Sequence, residues 1–504
     1  MFYWAYAAAS LLAVAAALTI EIFRRSRNTK SNPRCLPPPP GPKADPLIGH
    51  ARHFPAETPW IKFAEWKKPF GDILYLHALG NNIIVLNSYT AARDLLGKKS
   101  IYSDRPELPF LELVGLGRSI VLSKYNDMWR RHRKLMYTFM QKSAIEVCWT
   151  EQQNAARAYL NMLLDSPKDF SDNARLMAGK LIMSTIYGIQ VESSQNQFIV
   201  YAERIMDLAK YASPGAAYVN IFPILKYVPS WFPGAKFKKE AKRLRALVES
   251  MMDHPFQRVK SDRSTGAAVS SFTSQLLEDV DANEEDIKWV TGAMYGAGVD
   301  TISESIISFI LAMASYPGVQ KRAQEEIDRV VGTDRLPKFE DRPSLPYVEC
   351  LFKENLRWYP VTPIGAPHRV TEDDYYEGYW IPAGSTVLGN TWAMSRDESV
   401  YKDADTFSPE RFESKNGEIV LDPQEFVFGF GRRSCAGLHF ADASLYIAIV
   451  YILATFDISK SKDENGVEIE PKKGYAPGLV GHLEPFECSI TPRSARAAAL
   501  IRGE

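Results

Sequence analysis

Apolar positions along this chain fall into one unbroken run and, after it, two periodic rhythms. Residues 2–20 pass without a charge, with Ala and Leu dominating, about the length at which a helix crosses a hydrocarbon core. No basic side chain precedes the run, which sets it apart from a cleaved signal peptide. Further on, apolar residues recur at spacings of three and four over residues 127–140, 150–165, 198–211 and 236–262, the rhythm of helices with one buried face. A longer helix is expected from Asn283, a good N-cap, to Ser315 before Pro317, and another over residues 438–453. Alternating or β-branched stretches at 72–76, 82–86, 379–381, 386–389 and 487–490 are short and mostly close to Gly or Pro, as strands of small sheets would be. The pattern predicts a mainly helical protein with small β-sheets behind a single-pass N-terminal membrane helix.

Punctuation divides the rest. Arg24, Arg25, Arg27, Lys30 and Arg34 come directly after the apolar run, so the positive-inside tendency puts the remainder of the chain in the cytosol. The run Leu36-Pro37-Pro38-Pro39-Pro40-Gly41-Pro42 is stiff and extended and is read as a spacer. This gives an anchor at 1–23, a basic and proline-rich hinge at 24–45 and one catalytic body at 46–504, uninterrupted by repeats or low-complexity tracts. Within the body, residues 219–234 hold Ile221, Phe222, Leu225, Tyr227, Trp231 and Phe232 between three prolines. Such a loop is either buried against the body or dipped into the lipid interface.

Charge narrows the function. Lys plus Arg and Asp plus Glu both total 60, so no net field favours nucleic acid. Five cysteines, far apart and with no C-x-x-C pair, argue against a disulfide framework or a zinc ribbon. One of them carries chemistry. In Phe428-Gly429-Phe430-Gly431-Arg432-Arg433-Ser434-Cys435-Ala436-Gly437, glycines let the backbone approach a flat ligand, Arg433 supplies a permanent cation, and Cys435 precedes a helix whose free N–H groups favour a thiolate.

This segment fits the F-x-x-G-x-R-x-C-x-G signature, and the chain thereby resembles the cytochrome P450 superfamily of heme-thiolate monooxygenases. Three further motifs support the same resemblance. Glu354-Asn355-Leu356-Arg357 with Pro409-Glu410-Arg411-Phe412 resembles the structural charge network of Glu354, Arg357 and Arg411. Ala297-Gly298-Val299-Asp300-Thr301 resembles the oxygen-activation motif. Gly292, Gly296 and Gly298 each cost their helix about 1 kcal/mol relative to Ala, and the resemblance explains them as room for dioxygen and substrate. Trp129-Arg130-Arg131-His132-Arg133 resembles the W-x-x-x-R element.

The resemblance implies a helical prism around a buried heme b, with Cys435 as the axial ligand of its iron and Phe428 packed beside it. Trp129, Arg133, Arg433 and His368 would hold the propionates. Asp300 would relay protons and Thr301 would hydrogen-bond the dioxygen being cleaved. No dinucleotide or flavin motif is evident, so electrons are expected from a membrane-bound NADPH–cytochrome P450 reductase docking on a basic face of Arg130, Arg131, Lys134, Arg432 and Arg433. The loop at 110–116, Ala293, Gly296, Ala297, the turn at 362–366, Leu479 and Val480 are the expected substrate contacts. They are mostly small and apolar, which suits a lipophilic substrate of terpenoid or polyketide type. The order of segments resembles fungal microsomal members that tailor secondary metabolites, anchored in the endoplasmic reticulum membrane. Two rivals share part of this reading. A heme-thiolate isomerase or dehydratase would need neither dioxygen nor reductase, and a heme-binding sensor would have no activity to lose at Thr301.

Overall fold

The computed structural model describes residues 32–503 apart from 47, 56, 79, 194, 207, 209–210, 212–216, 233, 280, 414–419 and 477–480. The expected membrane helix, the first part of the hinge, Leu479 and Val480 lie outside the described residues. Mainly helical architecture with small sheets is what the sequence predicts and what the structure has.

In chain order the elements that build the site begin with α1 (Pro59–Phe70), β1 (Ile73–Ala78) and β2 (Asn81–Leu86). The helices α2 (Asp127–Met140), α3 (Trp149–Asp165), α4 (Phe170–Tyr187) and α5 (Lys236–Ser264) come next. After them come α6 (Glu284–Ser315) and α7 (Pro346–Trp358). Short strands β3 (His368–Arg369), β4 (Asp374–Tyr376), β5 (Tyr379–Ile381) and β6 (Thr386–Gly389) precede α8 (Leu438–Thr455), and β7 (Phe456–Lys460) pairs with β8 (Cys488–Pro492). The expected helix at 198–211 is shorter, Gln197–Met206.

The larger sheet runs β1-β2-β6-β3. β1 and β2 form an antiparallel hairpin with Ile73 opposite Leu86, β6 joins β2 in parallel, and β3 joins β6 antiparallel. The proline run does not stand free as a spacer. The Pro40 carbonyl accepts from Tyr75 N–H at 2.9 Å and the Pro37 carbonyl from Trp380 N–H at 2.8 Å, so the segment is laced to β1 and β5. Prolines donate nothing, but their carbonyls remain free to accept. A Cβ on Gly41 would run into the Tyr75 carbonyl, which is why a glycine interrupts the run there.

α6 is the axis of the molecule. Its N-cap is Asn283, whose side chain accepts from Asp286 N–H, and it stops one residue before Tyr316 and Pro317. From Ile287 to Ala314 it is buried on nearly every side, so it shows no single apolar stripe, the mark of a helix enclosed by others. α6 and α8 are long and apolar enough to cross a membrane, yet the relevant windows are 83% and 72% buried inside the protein, which makes them core helices. α6 packs closely on α5 and α4 because its glycines allow it. A Cβ at Gly296 would come within 2.7 Å of Met251 Cε, one at Gly298 within 2.6 Å of Ile182 Cδ1, and one at Gly292 would overlap the Met252 sulfur. Gly292 and Gly296 therefore serve helix packing, not the ligand room expected of them. Gly298 does both, since it also borders the central cavity.

Candidate active site

Between α2, α6, α7 and the loop that leads into α8 lies a cavity of about 340 Å³. The loop before α8 is held in shape by two glycines in the left-handed region. Gly431, at φ +55°, sits where a Cβ would come within 2.6 Å of the Gly97 carbonyl and 2.7 Å of the Leu96 carbonyl. Gly429, at φ +75°, turns the chain so that Cys435 N–H donates to the Phe428 carbonyl at 2.7 Å. This presents the Cys435 sulfur to the cavity, with the Phe428 side chain on the same wall. Burial in the body of the protein raises the Cys435 thiol pKa. The Gly437 N–H and the Arg133 guanidinium pull the other way without reversing it.

One end of the cavity is strongly cationic. Arg433 donates to the carbonyls of Ser103, Ile120 and Ser123 at 2.7, 3.1 and 2.7 Å, and its guanidinium lies 4.6 Å from the Trp129 ring centroid. Arg133 donates to the Ser434 carbonyl at 2.7 Å. Arg105, which sequence reasoning missed, donates to the carbonyls of Val121, Ala366 and Pro367. None of the three arginines forms an ion pair among the described residues. Burial pushes the Arg105 pKa down to about 9 and that of Arg433 to about 10. His368, its Nδ1 2.8 Å from the Tyr102 carbonyl, is held well below the usual imidazole range by burial and by Arg105. One buried and two half-buried guanidiniums, held by carbonyls and without an ion pair, with only the Asp104 carboxylate acting on two of them, fit a planar ligand that brings two carboxylates, as heme does. At the cavity's other functional point a soft sulfur donor fits its iron. Arg105 was missed because a lone Arg between Asp104 and Pro106 carries no periodicity or spacing signal.

α6 supplies the polar groups of the opposite wall. Thr301 borders the cavity and its hydroxyl donates to the Ala297 carbonyl at 2.8 Å, leaving its oxygen free to accept. Asp300 does not border the cavity. It is buried, and its Oδ2 lies 2.7 Å from Nε2 of His482. One turn on, buried Glu304 accepts from Arg175 at 3.3 Å and from Leu483 N–H at 3.2 Å. The His482 pKa is raised, chiefly by its hydrogen bond to Asp300, and that of Glu304 is raised by burial.

The remaining wall is apolar: Ile120, Val121, Ile182, Ile186, Ala293 and Ala297. Two expected contacts fall elsewhere. None of the 110–116 loop lines the cavity: Phe110 is buried against Tyr211, with ring centroids 4.2 Å apart, and Ile120 and Val121 border the cavity instead. Gly296 faces Met251. The turn at 362–366 does contribute, through Thr362, Gly365 and Ala366.

Behind the sulfur side, Glu354 and Arg357 form a bidentate pair at 2.7 and 2.8 Å with no solvent exposure, and Arg411 adds a bond to Glu354 at 3.1 Å. On the surface, Arg130, Arg131, Lys134 and Arg432 are exposed. Arg130 is paired with Asp127 and Arg131 with Asp286, while Arg433 is turned inward and does not belong to the basic face.

A sequence model of the family described as Cytochrome P450 matches residues 39–487. Cytochrome P450 monooxygenase claR from Ampulloclitocybe clavipes is 42% identical to this chain over 472 residues, which cover 92% of the chain and 88% of that protein. Cytochrome P450 monooxygenase 176 from Postia placenta is 39% identical, covering 92% of both chains. Cytochrome P450 monooxygenase COX2 from Coprinopsis cinerea is 40% identical, covering 92% and 90%.

Proposed function

The chain belongs to the cytochrome P450 family, monooxygenases that hold heme through a cysteine thiolate, and we propose that Cys435 is that thiolate here. The observation that carries this reading is the placement of Cys435 on one wall of a cavity that also has Thr301 on its border and, at its end, three arginines without an ion pair among the described residues. When bound, heme supplies the centre at which dioxygen is reduced and one of its atoms passes to the substrate. Overall, RH, O2, two protons and two electrons give ROH and water. The electrons come from a redox partner, which we read as NADPH–cytochrome P450 reductase.

The chain's own residues do the rest. Arg105, Arg133 and Arg433 neutralise and orient the propionates, with Trp129 and His368 closing that end against water. Thr301 offers a hydroxyl at the reacting face, and Asp300 stands behind it with its carboxylate against His482. No Asp or Glu borders the cavity among the described residues, so an amine would be desolvated there without a partner, and with the arginines given to the propionates a carboxylate would be too, whereas an apolar molecule would fit. This supports a lipophilic substrate, of terpenoid or polyketide type, and a tailoring step in fungal secondary metabolism.

On the same reading the protein sits at the endoplasmic reticulum membrane with its body in the cytosol. The loop at 219–234 and the residue before it support this: Tyr218, Ile224, Tyr227 and Trp231 are more than 70% exposed, which burial against the body would not leave. Incubating the heme-loaded protein with reductase, NADPH and a panel of terpenoids, polyketides and small carboxylic acids tests the substrate class. Oxygenated product from a neutral lipophilic compound is expected, and turnover confined to the charged acids would overturn it.

A further inference from the structure

Each turnover of the proposed reaction consumes two protons, and they have to reach a cavity walled by apolar side chains. Asp300 stands beside Thr301 in sequence but is turned about the helix away from the cavity, where its carboxylate meets His482 at 2.7 Å. His482 is the outward member of the pair. Its side chain keeps 34% of its surface exposed, whereas that of Asp300 keeps 6%.

Resting on the monooxygenase reading, we propose that His482 is a proton-relay and positioning residue, passing protons from solvent to Asp300 and through it to the cavity beside Thr301. In each transfer a proton from water is taken up at one ring nitrogen, the Nε2–H bond breaks, and an O–H bond forms on Oδ2 of Asp300. The carboxylic acid then turns toward Thr301 and releases that proton to the reaction, and the ring recovers its starting tautomer by exchange with water. The surroundings suit this task. Asp300 and Glu304 face the imidazole from α6 and raise its pKa, and Arg175 of α4 opposes them more weakly. Glu304, fixed by Arg175 and by Leu483 N–H, also pins the chain next to His482 against α6. A histidine is suited to the role because its charge changes near neutral pH.

The test uses the full-length, heme-loaded chain with reductase and 7-ethoxycoumarin as a lipophilic ether probe. His482→Gln keeps a hydrogen-bond donor for Asp300 but cannot relay. It should leave heme content unchanged and lower product per NADPH by roughly 10²-fold, the scale of a lost proton-transfer group. It should also abolish the pH-dependent limb of the product rate and alter the solvent isotope effect. The same yield, pH profile and isotope effect as the unaltered protein would overturn the proposal. A second measurement needs neither turnover nor a stable variant: NMR titration of histidine-labelled, heme-loaded protein should place the His482 ring above its ordinary 6.5. A ring titrating at or below that value would equally overturn it. Absence of product from the unaltered protein with the whole substrate panel would count against the monooxygenase reading and leave the titration to decide on His482.

Discussion

Arg357 has no solvent-exposed surface and spends its donors on Glu354 and on the carbonyls of Ser395, Ala404 and Thr406. Removing either partner strands a charge in the interior, so Glu354→Ala or Arg357→Ala should cost about 3–5 kcal/mol in denaturant unfolding. Gly431 is constrained differently. Its positive φ and the two carbonyl oxygens that a Cβ would meet are backbone features that cannot step aside. Gly431→Ala should therefore destabilise the loop by about 1–3 kcal/mol and weaken heme retention, measured by unfolding and by heme content. Thr301→Ala removes a hydroxyl from the reacting face and should cut product per NADPH by up to roughly 10²-fold while leaving the protein folded. His482 adds a pH dependence. Its folded pKa is raised by Asp300, so its stabilising contribution is complete below the unfolded value of about 6.5 and fades as pH climbs through the folded value. The stability gap between the unaltered protein and His482→Gln should be widest in mild acid and close toward alkaline pH.

At the scale of elements, the helices and strands were largely legible because their signals are local. Asn283 and Pro317 bracket α6, and the strands at 379–381 and 386–389 appear where short β-prone stretches predict them. The Cys435 loop was legible for another reason: its glycines, Arg433 and cysteine stand within ten residues of one another. What sequence could not supply is the facing of α6. A helix buried all round has no stripe to orient it, so the sequence puts Gly296 at the cavity although it faces Met251, and puts Asp300 beside Thr301 although it faces His482. Arg105 and His482 come to the site from 28 residues before Arg133 and 47 after Cys435, and nothing local marks either one. Packing at the glycines is itself testable. Gly296→Val should push Met251 off its position and cost about 1–3 kcal/mol in stability, with substrate-binding affinity little changed because the residue does not border the cavity.

Across the whole molecule, the laced proline segment, the exposed loop and the apolar cavity suit a body held at a lipid surface and fed from it. Trp231→Asp combined with Tyr227→Asp should weaken binding of the body, expressed without residues 1–31, to phospholipid vesicles, and unchanged co-sedimentation would remove the loop from that role. The basic face is weaker than its residue count implies, since Arg130 and Arg131 already have acidic partners and Arg433 is turned inward. Charge reversal at Lys134 and Arg432 should accordingly lower reductase coupling more than reversal at Arg130. Every functional role assigned to these residues depends on one bond, between Cys435 and heme iron. The absorption spectrum of the purified, heme-loaded protein, reduced under carbon monoxide, tests it most directly. A thiolate-type Soret band that persists in Cys148→Ser and Cys350→Ser and disappears in Cys435→Ala is the expected result. A folded, heme-loaded protein without that band, or a Cys435→Ala variant that keeps it, would contradict the account.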